Sequence, residues 1–165
     1  MKTIRRRRKE NKTDYLNRLK LLKSHKPRMV FRRTNRYIIA QYVESYEAQD
    51  KVVFNVNSKD LLKYGWAESA KGSLKSITAS YLTGYLAGKT VLDKKLETPI
   101  VDFGMIRTLH KTKVFAFLKG MIDAGIEIEC DEEYFPEENR INGEHMKNKV
   151  DVKKILASLE GGKKW

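Results

Sequence analysis

Residues 27–45 read PRMVFRRTNRYIIAQYVES. Two runs rich in β-branched and aromatic residues flank a polar pair, Thr34-Asn35. Alternation puts every second side chain on one face of a strand, so PRMVFRRT (27–34) and RYIIAQYVES (36–45) read as neighbouring strands. The link between them is short enough for a tight hairpin. KVVFNVN (51–57) supplies a third strand, and three successive strands can form an antiparallel meander.

Helical spacing takes over beyond the meander. Ser58 is placed to cap a short helix that Gly65 closes. From Ser73 to about Ala87, Leu74, Ile77, Tyr81 and Tyr85 recur at helical intervals. Gly84 and Gly88 lie four apart and open one face of that helix to close packing, with Gly88 near its stop. PIVDFG (99–104) reads as a brief strand, and KVFAFLKGMIDA (113–124) as a helix capped by Thr112 and stopped by Gly125. IEIEC (126–130) reads as a fifth strand. Residues 131–149 are polar, acidic and without clear period, and Asp151 caps a last helix, DVKKILASLE (151–160), that ends at Gly161-Gly162. The last two strands each follow a helix and join by crossovers, which predicts a mixed sheet with helices on both faces.

On the other side of the hairpin the chain is strongly cationic. Residues 1–36 carry 15 Lys and Arg against two acids, Glu10 and Asp14, whereas residues 37–165 carry 19 of each sign. The whole net charge of +13 therefore sits in the first fifth of a 165-residue chain. A neutral body with a basic arm is the electrostatic footprint of a polyanion binder. Residues 1–12, with Arg5, Arg6, Arg7, Arg8, Lys9 and Lys12, have almost no apolar surface to bury and are expected to be irregular in the free protein. Thr13 is placed to cap a helix over TDYLNRLKLLKS (13–24), with Tyr15, Leu19 and Leu22 on the face that packs on the body and Arg18, Lys20 and Lys23 flanking it.

A nuclear address would need only the first few of these cations. The pattern instead continues through Lys26, Arg28, Arg32, Arg33 and Arg36, across a helix and into a hairpin. A membrane-surface helix would pair its basic face with a broad apolar one carrying Trp or Phe. Nucleic acid accounts for the whole pattern, because arginine forks match phosphates and stack on bases, and Tyr15 and Tyr37 add stacking surfaces. The hairpin tip, Arg33-Thr34-Asn35-Arg36, offers hydrogen bonds to base edges or 2′-hydroxyls. The absence of a helix-turn-helix, zinc-finger or zipper pattern favours RNA over duplex DNA.

Other chemistries find little support. The longest apolar runs, such as VFAFL (114–118), are far too short to cross a bilayer. A single cysteine, Cys130, supplies neither an internal disulfide nor a cysteine zinc cage and fits a reducing, cytosolic setting. His25, His110 and His145 show no metal-ligand spacing. Ala87-Gly88-Lys89-Thr90 imitates the tail of a phosphate-binding loop, yet it closes a helix where such a loop opens one, and Thr83 stands where its first glycine belongs. The acids at 131–133 and 137–138 lack the alternating ligands and central glycine of a calcium loop. Asp102 is the one acid in an apolar strand, read as a turn or a hydrogen-bonded strand end. No cofactor or small-molecule substrate is expected.

The blocks KTDYLNRLKLLKSHKPRMVFRRTNRYIIAQ (12–41), ASYLTGYLAGK (79–89), VFAFLKGMIDAGIEI (114–128) and FPEENRINGEHM (135–146) resemble the L-eighteen family of large-subunit ribosomal proteins in its archaeal type, called L-five in eukaryotes. The resemblance covers roughly residues 5–146, with the blocks in the family's order. It implies a non-enzymatic protein that binds 5S rRNA and helps anchor it to large-subunit rRNA, beside neighbouring proteins of the central protuberance. It also implies a three-layer α/β/α body with a five-stranded mixed sheet of ribonuclease-H-like topology. The chain is expected to divide into a basic RNA-binding arm and helix (1–26), an α/β body (27–130) and a C-terminal extension with a short helix (131–165), whose part beyond 146 lies outside the resemblance. The RNA-facing block carried over is Arg5 to Arg8, Lys12, Tyr15, Arg18, Lys26, Arg28, Asn35 and Arg36, with Arg140 and His145 in the tail. Where family members commonly carry a glycine and an arginine or serine before the VFA helix, this chain has Thr108-Leu109-His110-Lys111-Thr112-Lys113. Lys111 and Lys113 are expected to replace that contact with side chains. The rival readings are a free RNA-binding or RNA-chaperone protein and a metal-dependent ribonuclease.

Overall fold

The hairpin forms as its alternation requires. In a computed structural model, which describes residues 3–47, 49–146 and 150–161, β1 (Arg28–Arg33) pairs antiparallel with β2 (Ile38–Tyr46). Met29 and Phe31 of β1 and Ile38, Ala40 and Tyr42 of β2 share the buried face. β3 (Gln49–Asn57) pairs antiparallel with β2, with a register shift at Tyr42/Val43. β4 (Ile100–Asp102) runs parallel to β1, giving a mixed sheet of order β3-β2-β1-β4.

Among the described residues the sheet thus has four strands, not five. IEIEC keeps the alternate burial that its pattern implies, with Ile126 buried and Ile128 half-buried, but it forms no ladder. Burying alternate residues requires only an extended chain, whereas a ladder also requires a neighbour, and β4 is three residues long. The hairpin link is also longer than the sequence suggested. It spans 34–37, with the Thr34 N–H donating to the Tyr37 carbonyl (2.9 Å) and the Tyr37 N–H donating to the Thr34 hydroxyl (2.9 Å).

The helices are α1 (Arg6–Lys9), α2 (Tyr15–Lys23), α3 (Ile77–Asp93), α4 (Lys113–Asp123), α5 (Glu138–Ile141) and α6 (Val152–Glu160). Two 3-10 segments, Ser58–Tyr64 and Glu68–Ser73, lead into α3. The first is capped by Asn57 in a capping box with Asp60, not by Ser58, whose buried hydroxyl accepts from the Ile38 N–H (3.0 Å). Gly65 and Gly125 close their segments in the left-handed conformation, as expected. The main helix starts later than its apolar period suggested, with Ser76 as its cap, and runs past Gly88 to Asp93. A glycine inside a helix does not end it when both faces are buried, and α3 is buried almost along its length.

α3 and α4 meet backbone to backbone. A methyl group on Gly84 would strike the Phe117 carbonyl, and one on Gly120 would strike the Tyr81 carbonyl. The Ser80 hydroxyl donates to the Lys113 carbonyl (2.6 Å) and pins the first turn of α4 to α3. Thr112 occupies the N-cap position of α4, but its hydroxyl donates to the Leu109 carbonyl instead of capping. α6, capped by Asp151 as expected, buries Val152, Ile155 and Leu159, and its Glu160 accepts from the Tyr85 hydroxyl (2.9 Å). Burial and that carboxylate push the Tyr85 phenol up to about 12. The expected Gly162 stop lies outside the described residues.

Candidate nucleic-acid interface

The arm is more ordered than its composition suggested. Residues 6–9 form one helical turn with no buried residue. Arg5 stacks over the Tyr15 ring (4.7 Å), Arg7 donates to the Thr13 hydroxyl (2.9 Å), and Arg8 lies 3.6 Å from Asp14. Glu10 meets Lys12 (2.8 Å) and Arg6 (3.8 Å). These pairings hold the turn without a core, and at such exposure each contributes at most about 1 kcal/mol. Asp14, not Thr13, caps α2, accepting from the Leu16 and Asn17 N–H groups.

The face of α2 turned to the body holds Tyr15 and Leu22 as expected, but Arg18 in place of Leu19. Tyr15, Arg18, Leu21 and Leu22 are half-buried, whereas Leu16 and Leu19 are 65% and 51% exposed beside Lys20 and Lys23. What holds Arg18 inward is charge. Arg18 binds Asp50 (3.0 Å), and Asp50 also accepts from Arg28 (2.8 Å) and Ser45 (2.7 Å).

Arg28 is therefore not part of an RNA-facing block. Its side chain is 2% exposed and reaches both Asp50 and Asp102 (3.2 Å). Burying a guanidinium requires carboxylates close by, and those two carboxylates fasten β3, β1 and β4 to one another. Asp102 also accepts from Arg32 (3.4 Å) and from the Gly104 N–H (2.7 Å), which gives it the strand-end role read from the sequence. Gly104 sits at φ +61, where a Cβ would press on the Arg32 guanidinium. Arg32 keeps its side chain 43% exposed while tied to this network.

Burial pushes the Asp50 carboxyl up, but hydrogen bonds from Ser45 and Arg18 and the charges of Arg28 and Arg18 outweigh it and hold it below the usual range. A lowered native value adds stability that is complete above the ordinary aspartate range, roughly pH 4, and is lost as pH falls through the native value. Asp50→Asn is expected to lower stability by about 2 kcal/mol at pH 7, because Arg28 loses a partner while staying buried. Urea unfolding between pH 7 and pH 3 checks this, and the gap between the two proteins should close towards acid.

The remaining cations gather in two exposed zones. Arg33, Asn35 and Arg36 stand exposed at the hairpin tip, with Tyr37 half-buried beneath them. Lys20, Lys23 and Lys26 line the exposed side of the arm. A cleft of about 600 Å³ opens beside the tip, lined by twelve residues, of which Arg33, Arg107, Lys111, Lys113 and Arg140 are cationic and none is acidic. Arg140 is carried there on α5, whose Arg140 carbonyl accepts from Thr78 of α3 (3.3 Å). Burial and the neighbouring charges of Arg33 and Lys75 lower the Lys113 pKa. The sequence had placed Lys111 and Lys113 in one loop and Arg140 apart in the tail, and the fold brings all three to one cleft. It had missed Arg107, Met105 and Leu109, although Arg107 lies in the same basic loop, RTLHKTK. His145 is exposed and is not among the residues lining the cleft.

A family described as ribosomal large subunit proteins 60S L5 and 50S L18 matches residues 1–98. The chain belongs to this family. It is 43% identical over 155 residues to large ribosomal subunit protein uL18 of Korarchaeum cryptofilum, covering 94% of the chain and 77% of that relative. It is 42% identical to the uL18 protein of Aeropyrum pernix over 86% of the chain and 64% of the relative. Against the Methanothermobacter thermautotrophicus protein it is 40% identical, over 86% of the chain and 71% of the relative. Membership makes this L18-type protein a structural component of the large subunit of the cytoplasmic ribosome, not an enzyme.

Proposed function

We propose that the chain binds 5S rRNA and helps anchor it to large-subunit rRNA at the central protuberance. The observation that carries this reading is the separation of charge: an exposed cationic arm, hairpin tip and cleft on an otherwise neutral body. Residues 1–26 are the RNA-binding arm, 27–130 the body, and 131–165 an extension whose helix packs on α3 through Glu160 and Tyr85. Arm cations neutralise phosphates and release counterions, while the hairpin tip presents Arg33, Asn35 and Arg36 from a fixed turn. Neighbouring ribosomal proteins complete the surroundings. The order β3-β2-β1-β4 is compatible with a ribonuclease-H-like body, and its strand acid, Asp102, is engaged by Arg28 and Arg32.

The hairpin tip provides the test. A flexible cation reads charge, whereas a rigid tip also reads shape. Replacing Arg33 and Arg36 with alanine is expected to narrow the preference for 5S rRNA over an unrelated structured RNA by about tenfold, at some 1–3 kcal/mol for lost shape-specific contacts. Competition binding at fixed salt measures this. Equal losses against both RNAs would deny the tip any role in selection.

A further inference from the structure

We propose that the cleft beside the hairpin tip holds a single unstacked nucleotide, its phosphate against Arg33 and Lys113 and its base over Met105 and Leu109. The inference rests on the 5S rRNA reading above and states what that RNA presents at this point.

The cleft's volume, about 600 Å³, lies in the range of sites that enclose a small ligand, and a nucleotide is of that size. Its lining combines two kinds of group. Five residues are cationic and none is acidic, and Glu137, which is not among them, approaches Lys111 at 3.6 Å. Of the apolar lining residues, Met105 and Leu109 are left 41% and 48% exposed and so offer uncovered apolar surface. A phosphate in a duplex needs the cations but gains nothing from that surface. A base turned out of its stack needs both.

The loop that carries Met105 and Leu109 is held in an unusual shape. Lys111 adopts φ +57, and its N–H donates to the Tyr134 carbonyl (2.8 Å). A non-glycine residue in the left-handed region is uncommon, and such residues recur at ligand clamps, where surrounding contacts such as this one hold them. The occupant is RNA rather than an acidic peptide because the cleft is continuous with both other cationic regions. Arg33 belongs to the hairpin tip and the cleft at once, and Arg8 of the arm reaches the Met105 sulfur (3.8 Å). One strand can therefore pass from arm to cleft to tip.

The test uses the full chain, isotope-labelled for amide NMR and titrated with AMP, inorganic phosphate and octa-aspartate in turn. AMP is expected to bind about tenfold more tightly than phosphate, since base stacking adds to the anion contact, and to shift the amides of Met105 and Leu109 together with Lys113. The double variant Met105→Ser/Leu109→Ser keeps all five cations and changes only exposed side chains. It should lose the tenfold margin while its other resonances stay in place. AMP binding no tighter than phosphate, octa-aspartate binding tighter than AMP, or shifts confined to the arm would overturn the proposal. The same two proteins are then compared on 5S rRNA. Preferential binding that is unchanged in the double variant would overturn the cleft assignment and leave the 5S reading intact. AMP seated in the cleft with no preference for 5S rRNA would support the cleft and overturn the 5S reading alone.

Discussion

A chain lacking residues 1–12 is expected to bind 5S rRNA about 10³-fold more weakly than the full chain at 0.1 M salt, with an unchanged fold. The deleted segment carries Lys2, Arg5 to Arg8, Lys9 and Lys12 against one acid, Glu10. Glu10 and Asp14 already engage Arg6, Lys12 and Arg8 in the free protein, so about four cations' worth of phosphate contact is the realistic loss. At a slope of about −0.7 to −0.9 per contact, the plot of log affinity against log salt should flatten by about 3 units. The fold survives because the turn at 6–9 buries nothing. A salt titration of both proteins decides the matter. An unchanged slope would put the phosphate contacts on the body.

The second large effect concerns stability. Gly84→Ala is expected to destabilise the protein by about 3 kcal/mol, seen as a melting point lower by roughly 10 °C. The added methyl would meet the backbone of α4 at Phe117, which has no rotamer to change, so the two helices must separate. Separation opens the core beneath Tyr81, Leu82 and Phe117, all at most 7% exposed. Gly72→Ala is the control. It has open space around its Cβ position, lies in the 3-10 segment before α3, and should change stability by no more than about 0.5 kcal/mol. Comparable losses in both variants would mean that close helix approach is not what Gly84 provides.

Features set by local pattern were legible in the sequence. The β1–β2 hairpin, the close packing at Gly84 and the stop at Gly125 follow from side-chain alternation, helical spacing and backbone freedom, all of which act over a few residues. What failed depended on distant partners. Arg28 looked like one more cation of the arm, and only Asp50 and Asp102, 22 and 74 residues away, bury it. Arg18 meets Asp50 and takes the inward place that the apolar period gave to Leu19, while Tyr15 and Leu22 sit as that period required. IEIEC carried the alternation of a strand, but a ladder needs a neighbour that alternation does not reveal. At the candidate interface the cations were readable as charge, while their convergence on one cleft required α5 to dock on α3 and bring Arg140 beside Lys113.

The most direct test of the central claim is a competition at 0.15 M salt, with limiting protein offered 5S rRNA and an unrelated structured RNA of equal length. A one-to-one complex with 5S rRNA that resists at least a tenfold excess of the competitor is expected, since charge alone binds both RNAs equally and the hairpin tip and cleft must supply the difference. Displacement in simple proportion to the competitor added would contradict it.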